Sequence, residues 1–364
     1  MIQNNITYIF GGGRNEKIKS NSNFAHDMFY GYFELNKFFK VNLIETVRTT
    51  GAFYKFISKV LNKLTGLGIH LEYSLKEEDK KILLNSTEIL FGNQQILFSL
   101  FKYCKQLNKK NININVFAMG LMSGKENIFT KLFLIYLFKR IQRIIFISET
   151  EYLDAKNKFK SYEDIFFYNP FGVDKNFWSE IKSDVSDKNK FILFIGNDLN
   201  RDYEFLLNLI MSMPNQYFKV ISSRIDKKDF NFSNAELING DWHSKSITDS
   251  MIRDFYSSAF CTIIPLKNSI QPSGQSVCLQ SMLCNTPVLI SKTDGFWDKE
   301  FLIDEENILL RNNEIDLWIE SIQQLIDDKN LYSKISENAR KVTYEKYTTD
   351  EFSKKLIKIL DLNY

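Results

Sequence analysis

The run Gln271-Pro272-Ser273-Gly274-Gln275-Ser276-Val277 places small polar residues directly before a stretch able to form a helix, residues 278–283. Ser273, Gly274 and Ser276 suit a loop whose backbone must approach a ligand closely, because glycine lacks a Cβ and serine can cap a helix. The helix that follows would aim free N–H groups and the positive end of its dipole at that loop, which is the chemistry of an anion site. Asn285 suits a left-handed helix end, Pro287 blocks continuation, and residues 288–290 read as a core strand. The same segment also fits an ordinary helix–turn–strand of any α/β protein.

The elements that would hold this loop lie on both sides of it. Residues 191–195 form an apolar strand ending in Gly196, followed by Arg201-Asp202-Tyr203 and an amphipathic helix through Met211. Further strands are expected at 218–222, 236–239 and 261–265. In the first half, a strand at 6–10 runs into Gly11-Gly12-Gly13, a helix is expected at 26–38, and strands at 41–45, 88–91, 113–118 and 143–148. Strands alternating with helices, twice over, predict two parallel sheets. Three glycines after a strand allow close approach of a ligand. They are not a Gly-x-Gly-x-x-Gly fingerprint, and no helix is expected to follow at once, which argues against a dinucleotide site.

A chain of 364 residues with 44% hydrophobic and 25% charged residues has room for two folded domains. The four cysteines, Cys104, Cys261, Cys278 and Cys284, lack metal-ligand spacing and read as reduced core residues. No signal peptide is expected at the N-terminus, nor any apolar run long enough to span a membrane. The expected location is therefore cytosolic, free or attached to the cytosolic face of a membrane.

The charge is uneven. Residues 1–172 carry 24 Lys and Arg against 15 Asp and Glu, and residues 173–364 carry 23 against 29. A basic first half suggests contact with an anionic surface. Two segments there, 52–64 and 128–147, combine aromatic and aliphatic residues with lysine or arginine. Either is a core helix with a solvated end, or a helix lying in a membrane interface over anionic headgroups.

Together, the order of these elements resembles the nucleotide-sugar domain of retaining GT-B-type glycosyltransferases, the large family four. The likeness extends to Asn169-Pro170-Phe171-Gly172-Val173-Asp174 with Phe177, which resembles that family's crossover between domains. Glu306-Asn307-Ile308-Leu309-Leu310 and Glu337-Asn338-Ala339-Arg340 resemble its closing strand and last helices. The resemblance implies an α/β GT-B fold, two doubly wound Rossmann-like domains facing a central cleft. The boundaries it implies are an acceptor domain at 1–172, a linker at 173–190, a nucleotide-sugar domain at 191–345, and a C-terminal helix at 346–364 that returns to the first domain.

It also implies roles. Arg201 would neutralise the diphosphate of the donor as the leaving group gains charge. Asn197 occupies the place of the family's first cation. Ser273, Gly274, Gln275 and Ser276 would cap the phosphates without a metal, and no cofactor is expected. Gln280 aligns with the glutamate that bonds the donor ribose, and an amide can still accept from a hydroxyl. The family's other glutamate falls on Pro272, and Met119-Gly120 stand where a histidine is common. Gly12 and Gly13 would approach the donor. His26 would bond the sugar or activate the acceptor hydroxyl, or is a surface histidine. His243, after Trp242, would edge the base, and Arg224 the base or diphosphate; His70 reads as structural.

The implied activity is transfer of a sugar from a nucleotide diphosphate donor, with retention, to a cell-envelope glycan or glycolipid. Its partners would be the nucleotide sugar, a glycan or lipid-linked acceptor and an anionic membrane, with no nucleic acid. A catalytically silent nucleotide-sugar-binding subunit is the alternative. A sugar-nucleotide epimerase lacks the paired acids and bases it would need.

Overall fold

The computed structural model describes residues 4–20, 23–48, 51–179, 191–241 and 247–363. Residues 180–190 of the predicted linker (173–190) and the candidate His243 lie outside these residues. The chain forms two compact units. The first gathers the described residues within 1–22, 28–170 and 352–364, the second those within 23–27 and 171–351.

In the first unit the strands are β1 (Asn5–Phe10), β2 (Lys40–Glu45), β3 (Val47–Arg48), β4 (Tyr73–Ser74), β5 (Glu88–Phe91), β6 (Asn113–Ala118), β7 (Arg143–Phe146) and β8 (Phe166–Tyr168). Six of them form one parallel sheet in the order β2-β1-β5-β6-β7-β8, while β3 and β4 pair separately and antiparallel. The central strands are buried on both faces, so they read as continuous apolar runs. Glu88 is the exception within β5. Its carboxylate accepts from Asn113 Nδ2 and Asn115 Nδ2 and lies 3.5 Å from Arg143 Nη1, so a buried charge is satisfied rather than orphaned.

Two local expectations fail. The helix expected at 26–38 is broken into a 3₁₀ turn, Asp27–Phe29, and a short helix, Tyr32–Leu35. Tyr30 and Gly31 between them have φ of 49° and 80°. A Cβ on Gly31 would stand 2.6 Å from Ser353 Oγ, so close packing against the C-terminal residues, not helix propensity, decides this stretch. A helix does follow the three glycines: Arg14–Lys19 starts at Gly13, whose φ is 100°.

In the second unit the strands are β9 (Phe191–Ile195), β10 (Tyr217–Ser222), β11 (Ala235–Asn239), β12 (Cys261–Ile264), β13 (Val288–Ser291) and β14 (Leu309–Arg311), all parallel in the order β11-β10-β9-β12-β13-β14. Its core includes Phe194, Leu206, Val220, Ile263, Leu289 and Trp318.

The boundaries differ from a cut at residue 172. Residues 23–27 join the second unit, where Ala25 N donates to Asp249 Oδ2 at 2.9 Å. The helix Thr349–Ile359 is shared: the chain from Phe352 onward packs in the first unit, where Asn169 Nδ2 donates to Phe352 O at 3.1 Å.

Candidate active site

The second unit brings together the end of β9 and the start of the helix Gln275–Leu283. Both lie at the carboxyl ends of parallel strands, where open α/β sheets bind ligands. The turn after β9 is pinned on three sides. Arg201 forms an antiparallel bridge with Leu266, Asp202 Oδ1 caps the helix Tyr203–Ser212 through Phe205 N, and Asn200 Nδ2 donates to Ser273 Oγ at 2.8 Å.

These contacts place the Arg201 side chain inside the unit, 3% exposed. Its Nε lies 3.2 Å from Asp198 Oδ2, an ion pair without hydrogen-bond geometry, and both Nε and Nη1 lack any hydrogen-bond partner. Two glycines make the space. A Cβ on Gly196 would collide with Arg201 Nε, and one on Gly274 would fall 2.9 Å from Nη1 and 2.8 Å from Ile264 Cγ2. Gly274 also has a φ of 81°, which a side chain would strain.

The helix entered at Gly274 has no side-chain cap and no acidic residue in its first turn. The start of this helix lies beside a buried cation whose Nε and Nη1 have no hydrogen-bond partner. Burying a guanidinium in this state is costly without a counter-charge. An anion taking hydrogen bonds from both the helix terminus and Arg201 would remove that cost, and a diphosphate has the charge and the oxygen count to do so.

The other candidates fall in different places. Asn197 Nδ2 donates to Gly240 O at 2.6 Å and its Oδ1 accepts from Ser223 N at 2.7 Å. Exposed Arg224 donates from Nε to Asn197 O at 2.9 Å. Gln275 is buried, while Ser273 and Ser276 are half-buried at the loop. Gly12 and Gly13 belong to the first unit, where a Cβ on either would meet nothing. The helix that starts there already holds a carboxylate, since Arg14 N and Asn15 N both donate to Glu45 Oε1, at 2.5 and 3.0 Å.

His26 belongs to the second unit. Its backbone N donates to Asp174 Oδ2 at 3.3 Å, and its Nδ1 lies 3.6 Å from the same oxygen. Gln280 is buried and engaged at both ends of its amide: Nε2 donates to Asp27 Oδ2 at 2.7 Å, and Oε1 accepts from Tyr256 Oη at 3.2 Å. Asp27 was not among the candidates. Burial pushes its carboxyl up to about 7, while hydrogen bonds from Gln280, Asp174 N and Trp178 Nε1 hold it down. Nothing in the local sequence marks it, because its partners lie more than 140 residues away.

Residues 232–342, which include the Gly274 loop and its helix, match the family described as Glycosyl transferases group 1. An uncharacterized glycosyltransferase of Methanocaldococcus jannaschii is 25% identical over 215 residues, 52% of this chain; the aligned part spans about half of that relative, 51%. Among solved structures, sucrose-phosphate synthase from Thermosynechococcus elongatus superposes with a TM-score of 0.69 at 13% identity, over 99% of this chain and 98% of that one. Anabaena HepE in complex with UDP-glucose gives 0.63 at 12%, over 98% and 99%. A glycosyltransferase from Rickettsia africae gives 0.65 at 12%, over the whole of both chains. Residues 232–342 of this chain thus match the group 1 glycosyl transferase domain, and the chain has the fold of two parallel-sheet units shared with GT-B glycosyltransferases.

Proposed function

We propose that the chain is a glycosyltransferase that takes its sugar from a nucleoside diphosphate donor bound by the second unit. The observation that carries this reading is Arg201, a buried guanidinium whose Nε and Nη1 have no hydrogen-bond partner and whose paired carboxylate, Asp198, is 44% exposed, beside the start of the Gln275–Leu283 helix, where Gly274 offers no side-chain cap. Transfer breaks the bond between the anomeric carbon and the β-phosphate oxygen, and negative charge grows on that oxygen. Arg201 and the helix N–H groups would stabilise it in a dry, preorganised setting, which is the largest effect available to such a site. With the counter-charge supplied by the chain, the reaction in this reading uses no metal ion. HepE has been captured with UDP-glucose, and a pneumococcal O-GlcNAc transferase with UDP and GlcNAc; a donor of this class supports the reading. Retention at the anomeric carbon follows from the family resemblance.

The acceptor in this proposal is a cell-envelope glycan or glycolipid met at the cytosolic face of a membrane. The first unit supplies the support. The helix Ala52–Thr65 turns its polar side inward: Ser58 Oγ donates to Glu72 Oε2 and Asn62 Nδ2 donates to Ile69 O. Its apolar side faces out beside that of the helix Ile128–Phe138, to which it is tied by Asn127 Nδ2 donating to Leu64 O. Phe53, Phe56, Val60, Ile128, Phe129 and Leu132 are 42–69% exposed. Lys55, Lys59, Lys63 and Lys131 are exposed on the same helices. An apolar face edged by lysines is complementary to an anionic lipid surface. No helix among the described residues is long and apolar enough to cross a membrane.

The test is a thermal-stability screen with UDP, GDP, ADP and their sugars, with donor hydrolysis followed in the same wells. One nucleotide should raise the midpoint and its sugar should be slowly released. Absence of any shift would remove the reading. A shift without turnover, even with candidate acceptors, would favour a silent donor-binding subunit. That second reading is motivated by Gln280, whose amide is tied to Asp27 and Tyr256, and by Pro272 where the resemblance expects a carboxylate.

A further inference from the structure

The polar centre behind the candidate site is built around a residue from far outside it. Asp27 is 2% exposed, and its two oxygens accept from Asp174 N at 2.5 Å, Trp178 Nε1 at 2.8 Å and Gln280 Nε2 at 2.7 Å. Every one of these neighbours is a donor, so the position demands a group that only accepts. An ionised carboxylate is that group.

The consequence for Gln280 is specific. Because Asp27 only accepts, the amide must present its NH₂ to it, and the carbonyl then takes the Tyr256 hydroxyl at 3.2 Å. The amide is locked in one orientation, with one N–H and one lone pair left over. Gln280 lies about 7.5 Å along the helix axis from the first helical residue, Gln275, at 1.5 Å per residue. Fixing Gln280 therefore fixes how the first turn meets Arg201. A glutamate at this position, as the family resemblance would supply, would set two buried carboxylates against each other.

We propose that Asp27 is a positioning residue for the donor site, and that positions 27 and 280 form a unit carrying a single negative charge, held by Asp27 in this chain. The inference rests on the donor reading above. The other titratable groups facing the unit are His26 and Asp174, Tyr256 on the helix Asp249–Ser258, Cys278 and Cys284, and Arg201.

The experiment is calorimetric titration of the full chain with UDP, or with GDP or ADP if the thermal screen selects it, at pH 5.5 and pH 8. Gln280→Glu should weaken binding about tenfold or more at pH 8, the loss of roughly one hydrogen bond to a charged group. It should recover at pH 5.5, where the two carboxyls share a proton and one can again donate. Asp27→Asn should weaken binding by a similar factor at pH 8, since its amide turns an acceptor into a donor, and by less at pH 5.5, where the wild-type carboxyl also carries a proton. The swap Asp27→Asn with Gln280→Glu returns one charge to the pair but turns an amide toward the Trp178 N–H, so at pH 8 it should bind better than either single variant without reaching wild type. The swap also covers the case in which Gln280→Glu alone does not fold at pH 8, because it must then fold and bind. Wild-type-like binding by Gln280→Glu at pH 8, or a swap no better than its parents, would overturn the proposal. A wild-type chain that binds none of the three nucleotides removes the donor reading and this inference together, whereas binding that ignores all three variants removes this one alone.

Discussion

Replacing Arg201 by methionine keeps the length of the side chain and removes its charge, and the structure predicts opposite effects on the free and the bound chain. In the free chain, Nε and Nη1 have no hydrogen-bond partner and the carboxylate paired with Nε, Asp198, is 44% exposed. Exchanging a poorly compensated buried charge for an apolar group is neutral or stabilising, so the thermal midpoint without ligand should hold or rise. In the bound chain, two charge-assisted hydrogen bonds to the diphosphate are lost, each worth about 1.5–3 kcal/mol. Taking about 3 kcal/mol in total after competition with water, nucleotide affinity should fall about a hundredfold. Turnover should fall further, because the same contacts strengthen as the leaving oxygen gains charge. Calorimetry with the selected nucleotide, a ligand-free melt and donor hydrolysis together give the three numbers. A variant that melts well below wild type yet binds nucleotide within about threefold would show that Arg201 holds the fold and not the anion.

Other consequences are independent of that one. Gly274→Ala should destabilise by about 1–2 kcal/mol through its φ of 81°, and should also lose the nucleotide-induced shift, because its Cβ would displace Arg201 Nη1. In the first unit, burial pushes the Glu151 carboxyl up to about 7 while it accepts from Gly120 N and Met122 N. With its folded pKa above the unfolded value, stability is greatest at low pH and is lost as pH rises from about 4.5 to about 7, at about 1.4 kcal/mol per pH unit. Denaturant titrations across this range should show a shallower fall in Glu151→Gln. Binding to vesicles of anionic lipid should fall steeply with salt and drop in Phe53→Ser/Phe129→Ser without a change in the melt; equal binding to neutral vesicles would remove the electrostatic part.

Much of the fold is legible because its signals are local. Strands buried on both faces, such as Ile89–Leu90–Phe91 and Val288–Leu289–Ile290, can only be apolar runs, and their spacing sets the alternation with helices. The break at Tyr30–Gly31 was not legible, since the residues that crowd Gly31 stand more than 300 positions later. The outward face of the Ala52–Thr65 helix was ambiguous for a related reason. An apolar stripe normally points to a core, and only the inward bonds of Ser58 and Asn62 reverse it.

For the site, the sequence by itself determined the chemical vocabulary: a glycine between small polar residues that lets the backbone approach a ligand, a helix directly after it, and an arginine in the loop after a strand. These are properties of residue type and order, and no partner is needed to state them. Only the tertiary structure decided that the arginine is buried between Gly196 and Gly274, and that the Asn197 amide bonds Gly240 O and Ser223 N. It alone brought Asp27 to Gln280 across 253 positions. The physical reason is that burial and hydrogen-bond satisfaction are settled by whatever long-range packing brings near, and a polar residue carries no mark of its distant partner in its own neighbourhood.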